Sequence, residues 1–196
     1  MNLKTLLILP VICLVAAGCA KQDDQYAIER AYYHAQKEAW EVMSNPDSTP
    51  PMKLKGTIDG LASFMTKYPG TTVALNAQFT IARVYTAVKQ YDKAVAEFNK
   101  ILDTYKASEE ICAHATFMLG GVYEAEGKWE SALKQYNILR GTYTKTVRGI
   151  EAPFHIAMRY KARHQPDKMM EALRDAVGYY KGLAYETPGS PFALQA

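Results

Sequence analysis

The sequence predicts an all-α solenoid of antiparallel helix pairs, and three observations carry the prediction. Phe79, Ile81, Ala82 and Tyr85 return 38 residues later as Phe117, Leu119, Gly120 and Tyr123, and after another 37 as Phe154, Ile156, Ala157 and Tyr160. A second register keeps step: Tyr91, Ala94, Phe98 and Tyr105 reappear as Trp129, Ala132, Tyr136 and Tyr143, then more loosely as Pro166, Met169, Leu173 and Tyr180. Within each half-unit the apolar residues recur at helical spacing, and no period-2 run of β-branched residues competes with it. A fixed period in the thirties marks units too small to bury their own apolar faces. Such units stack into one continuous core and work through an exposed inner surface.

From the N-terminus, Met1 to Lys4 form a short positive region and Leu6 to Val15 an apolar run of about ten residues. A permanent bilayer helix needs about twenty, so this stretch reads as a secretory signal. Its ending, Ala16-Ala17-Gly18-Cys19, resembles a lipobox, in which the chain is cut before the cysteine and the thiol is acylated; Ala16 stands where Leu is commonest. The alternative is an ordinary signal peptide cut nearby, with Cys19 incidental. On the favoured reading, residues 1–18 are a lipoprotein signal peptide, Cys19 is the lipidation site and 19–23 are a lipidated tether. Each buried CH₂ is worth about 0.8 kcal/mol, so several acyl chains anchor firmly. Ala20, rather than Asp, after the cysteine resembles the pattern sorted to the outer membrane. Of three cysteines, Cys13 leaves with the signal and Cys112 remains as the one thiol, so no intramolecular disulfide is expected. Cys112 lies beside Ile111 and Ala115 and is expected to be a small buried hydrophobe.

A long amphipathic helix follows over about 24–44, with Ile28, Tyr32, Ala35, Ala39 and Val42 on one stripe and Tyr26, Tyr33 and Trp40 on an adjoining line. Asn45-Pro46-Asp47-Ser48-Thr49-Pro50-Pro51 ends it, because three prolines and small polar residues cannot continue a helix. A second helix over about 53–68 stops at Pro69-Gly70. Together, 24–70 read as a degenerate N-terminal capping repeat. Full units are expected over 71–108 and 109–146, with a divergent one over 147–189. Residues 190–196 echo the opening of the first unit, as if a further, truncated repeat began there. In each of the two full units a tight turn separates two helices, at Lys89-Gln90 and Gly127-Lys128, whereas the capping unit lacks one.

Small residue, tyrosine, alanine and aromatic at Ala82, Tyr85, Ala94 and Phe98, and again at Gly120, Tyr123, Ala132 and Tyr136, resemble the skeleton of the tetratricopeptide repeat. The third unit keeps Ala157 and Tyr160 but departs at Met169 and Leu173. The resemblance implies a right-handed superhelical solenoid. The longer period and the phrasing of the units are similar to the bacterial envelope branch, which includes the BamD and CpoB families. That branch implies an outer-membrane-anchored periplasmic scaffold in envelope assembly, as in the BamD family, or alternatively a coordinator of cell-wall and membrane machinery, as in the CpoB family. A third possibility, from another class, is a helical module of a larger enzyme or secretion complex.

Catalytic chemistry is not evident. Lys and Arg number 23 against 20 Asp and Glu; removal of 1–18 takes only Lys4, leaving a net charge of about +2 without a basic stripe, so no nucleic-acid partner is expected. His34, His114, His155 and His164 form no i,i+4 pair, and no metal, cofactor or small-molecule substrate is expected. The Gly120-Gly121 doublet lies inside a repeat helix and reads as close packing. By resemblance to the family, first-helix positions 2, 5, 9 and 12 line a concave groove. Here those groove residues are Asn76, Phe79 and Arg83, then His114, Phe117 and Glu124, then Glu151, Phe154, Met158 and Lys161. The three phenylalanines either floor this groove for an extended or helical peptide or pack against neighbouring helices. Asn76 and Arg83 are similar to part of a clamp that some members use on C-terminal carboxylates, although the full pattern is absent. The expected partners are other envelope proteins or peptides, with the membrane reached through the anchor.

Overall fold

A computed structural model describes residues 25–186 of the chain. The expected signal peptide (1–18), Cys19 with its expected tether, and the terminal echo at 190–196 lie outside these residues. Among the described residues there are helices and no strands. The helices are α1 (25–44), α2 (Pro51–Lys67), α3 (Thr72–Ala87), α4 (Tyr91–Thr104), α5 (Glu109–Ala125), α6 (Trp129–Thr142), α7 (Val147–Ala162) and α8 (Pro166–Glu186). They fall into two compact units, one ending at Val88 and one beginning at Lys89, and each has its own core.

In the first unit, Ala39 and Val42 of α1 meet Leu61 and Phe64 of α2 and Ala77, Ile81 and Val84 of α3. Tyr32 presents its ring edge-on to Phe64 at 5.6 Å, and its hydroxyl hydrogen-bonds with Thr80 Oγ1 at 3.3 Å. The proline-rich segment does break the chain, with a single 3-10 turn at Pro46–Ser48. Yet α2 starts at Pro51, two residues earlier than the spacing predicts. Proline at the first helical position loses only an N–H that has no partner there and supplies the right φ. The same residue type that ends α1 therefore begins α2.

The second unit is a run of five helices, each packed on the next, with α5 also touching α7. Its core gathers Ala113, Trp129, Ala132, Tyr136, Leu139, Ala152, Ile156, Ala157 and Ala172. Gly120 is where the expected close crossing occurs: a methyl group there would run into the Tyr136 ring, which is 1% exposed. The turns repeat as well. Lys89 (φ 62°), Gly127 (φ 83°) and His164 (φ 56°) all adopt the left-handed conformation, 38 and 37 residues apart, so the third unit keeps the turn although its sequence diverges. Tyr91, Trp129 and Pro166 each open the helix that follows. In α8 the buried residues are Ala172 and Ala176, whereas Met169 and Leu173, at the repeat positions of Ala132 and Tyr136, are half-buried.

Helix starts share a device. Thr71 Oγ1 donates to Tyr68 O at 2.6 Å and accepts from Ala74 N at 3.3 Å. Thr146 Oγ1 donates to Tyr143 O at 2.8 Å and accepts from Gly149 N at 3.0 Å. One hydroxyl thus satisfies the end of one helix and the beginning of the next. Between these two junctions, Ser108 makes no such cap. There Cys112 Sγ donates to Tyr105 O at 3.3 Å. The thiol is 3% exposed, as expected of a small packed residue, and burial raises its pKa. Pro153 lies inside α7 and removes the N–H that would bond Gly149 O; its neighbours Ala152, Ile156 and Ala157 hold the helix by core packing.

Candidate protein-binding face

The described residues that draw most polar and aromatic side chains together lie where α5 and α7 run side by side in the second unit. Phe117 of α5, Tyr136 of α6 and His155 of α7 form an aromatic triad. The His155 ring stands edge-on to Phe117 at 4.9 Å and to Tyr136 at 4.6 Å, and the Phe117 and Tyr136 centroids are 6.0 Å apart. Above the triad, Arg148 places its guanidinium 4.4 Å from the centre of the Phe117 ring while bonding Glu151 at 2.9 Å. Beyond it, Arg159 grips Glu124 through two of its nitrogens, Nε to Oε1 and Nη2 to Oε2, each at 2.7 Å. Such a two-pronged pair fixes the angle between the helices that carry it.

Burial lowers the His155 pKa, with Glu124 opposing the shift and Arg159 and Arg148 adding to it. The ring is therefore neutral at neutral pH. Burial likewise lifts the Tyr136 hydroxyl well above its ordinary range, and Glu124 adds to the effect. Both groups are held in uncharged forms that suit packing. A second stack lies toward the far end of the unit, with Trp129 edge-on to Tyr160 at 5.2 Å, Arg163 4.8 Å from the Trp129 ring centre and Lys168 5.8 Å from that of Tyr160. Beside it an open cleft of about 300 Å³ is lined by Leu133, Tyr160, Lys168 and Asp175 among others. Among the described residues no group of His, Cys, Asp and Glu could hold a metal ion, and no helix is long and apolar enough to cross a membrane.

The sequence-derived groove residues fall as follows. On α3 of the first unit, Asn76 and Arg83 are exposed and Phe79 is half-buried. On α5, His114, Phe117 and Glu124 are half-buried, and the last two belong to the triad and the ion pair just described. On α7, Glu151, Phe154, Met158 and Lys161 form one stripe by their spacing. Glu151 and Lys161 are exposed, Met158 is half-buried, and Phe154 is 52% exposed. Phe117 thus packs against its neighbours whereas Phe154 faces outward. What sequence reasoning missed is the adjoining stripe of α7, Arg148, His155 and Arg159. Its signal was present as a histidine between two arginines, at steps of seven and four, facing the carboxylate of Glu124.

A family model described as a tetratricopeptide repeat-like domain matches residues 2–145. This chain belongs to the tetratricopeptide repeat-like family. The fold of the family member described here is also similar to a crystal structure of nearly identical TPR-like repeats from a Podospora anserina protein named as a kinesin light chain. The TM-score is 0.50 at 17% identity, over 83% of this chain and 80% of that one. No curated protein matches the chain. The match to the tetratricopeptide repeat-like family begins at residue 2 and so takes in the N-terminal apolar run. Repeats of this kind form interaction modules, typically without catalysis of their own: their working part is a surface for other proteins.

Proposed function

We propose that this chain is an outer-membrane-anchored periplasmic scaffold whose tetratricopeptide repeats recruit other envelope proteins or peptides during outer-membrane protein assembly, in the manner of the BamD family. The observation that carries the recruiting role is the α7 stripe: a half-exposed Phe154 between Glu151 and Lys161, beside an α5–α7 surface made rigid by the Glu124–Arg159 pair. An exposed aromatic anchor framed by charges is the usual make-up of an interface centre, and the preformed surface beneath it lowers the ordering cost of binding. The envelope and the anchor rest on the signal-like N-terminus and the Ala16-Ala17-Gly18-Cys19 ending.

Co-purification from detergent-solubilised membranes tests the recruiting role. Phe154→Asp with Lys161→Glu should strip a partner from the chain while leaving its folding stability within about half a kcal/mol of wild type; an unchanged partner set moves the binding surface elsewhere. Cys19→Ser should release the chain from membranes or leave an unprocessed precursor. An unmodified N-terminus at a different cleavage site, read by mass spectrometry, would remove the anchor and leave the recruiting role to stand on the first experiment.

A further inference from the structure

The outward side of α1 is unlike that of a water-facing helix. Tyr26, Tyr33 and Trp40 are 66%, 62% and 63% exposed, and they recur at a spacing of seven. Arg30 and Lys37 fall between them, each four residues after an aromatic. At about 100° per residue the five side chains share an arc of about 80°. The core-facing residues Ala35, Ala39 and Val42 lie on the opposite side of the helix. Single apolar residues on a surface need no explanation, and a solvated helix face is ordinarily polar. Here three large rings line up on the pole farthest from the core.

Alternating Tyr or Trp with Arg or Lys is the chemistry of a bilayer interface. The rings sit at headgroup depth with their polar edges wet, and the cations meet phosphates while their stems run along apolar surface. The nearby acids are turned to other work. Glu41 bonds Lys53 of α2 at 3.0 Å and feels Lys37 only as a weaker, more distant charge, Glu29 accepts from Gln25 at 2.8 Å, and Arg30 and Lys37 form no ion pair among the described residues. Position in the chain agrees. Gln25 lies six positions after Cys19, a reach of at most about 20 Å, so a chain held at Cys19 carries α1 beside the leaflet.

We infer that the Tyr26–Arg30–Tyr33–Lys37–Trp40 line is a membrane-surface contact that lays α1 along the headgroups of an anionic phospholipid leaflet. This rests on the anchored reading above, because the helix lies on the membrane and does not cross it. The contact holds the first unit against the leaflet along the length of α1.

Trp40 is the natural probe, since the only other tryptophan, Trp129, is buried and Trp129→Phe leaves Trp40 as the single emitter. The full chain is mixed with vesicles of phosphatidylcholine, with and without phosphatidylglycerol. Flotation reports attachment, while emission wavelength, iodide quenching and quenching by a headgroup-level nitroxide lipid report the face. With phosphatidylglycerol, Trp40 emission should shift to the blue, resist iodide and be quenched by the nitroxide. Arg30→Glu with Lys37→Glu should reverse all three in a chain that still floats. A floating wild-type chain whose Trp40 remains open to iodide overturns the contact and leaves the anchor standing. A chain that neither floats nor shields Trp40 overturns the contact and counts against the anchor as well. Shielding that needs added envelope protein, and not lipid, overturns the membrane contact and assigns the face to a protein partner.

Discussion

Gly149 sits where the first turn of α7 is pressed against the end of α6: a methyl group on its backbone would collide with the main-chain oxygen of Tyr143 and crowd that of Leu139. Backbone cannot step aside as a side-chain tip can, so Gly149→Ala should cost about 3 kcal/mol or slightly more. Gly120→Ala pushes on the packed Tyr136 ring and should cost about 1–3 kcal/mol. Its neighbour Gly121 has open space around it, so Gly121→Ala should stabilise α5 by about 0.5–1 kcal/mol. Urea melts of the three variants check this order, and a Gly149→Ala protein as stable as wild type would refute the close α6–α7 approach. His155 gives a pH signature. Its folded pKa is lowered by burial, so below its ordinary value of about 6.5 the unfolded chain takes up a proton that the folded chain refuses, and stability falls as pH drops through that window. His155→Phe should flatten this loss: the variant's advantage over wild type in melting temperature should grow between pH 7.5 and pH 5, and an unchanged difference would mean His155 titrates freely in the fold.

Turns and helix ends show what a repeat must keep and what it can exchange. The left-handed position after each first helix is glycine at 127 but lysine at 89 and histidine at 164, and a side chain in that conformation costs about 1 kcal/mol. His164→Gly should therefore raise stability by about 0.5–1 kcal/mol, measured by thermal melts at neutral pH, with no change in helical spectrum. The helices themselves were legible in the sequence because their apolar stripes are set by period: 24–44 and 53–68 were expected, against 25–44 and Pro51–Lys67 found. The missed start came from reading prolines only as stops. The divergent second helix of the third unit formed all the same, since Pro166 opens it and Ala172 and Ala176 are buried on its inner side. Repeat position, more than residue identity, decided that element.

The all-α fold followed from spacing, because a stacked repeat writes its architecture in its period, whereas the family followed from a resemblance carried by particular residues, Ala82, Tyr85, Ala94 and Phe98 and their counterparts. The candidate face was only half legible. Position rules placed Phe117, Glu124 and Phe154 on the relevant helices, but a rule of position does not say which ring turns inward. Nor does it pair Glu124 with Arg159, 35 residues away, since that depends on how α5 and α7 lie against each other. Partner identity is less legible still, because side chains on a solvated stripe answer to a molecule that is not encoded in this chain. One feature of the second unit bears on how the protein comes into being. Its helices pack against the helix before or, for α5 and α7, the one before that, so the contacts are local and the chain-closure entropy of each step is small. Every helix from α5 onward thus finds its docking partner already made when it emerges, and a chain delivered N-terminus first, from a ribosome or through a pore, can assemble in the order in which it arrives.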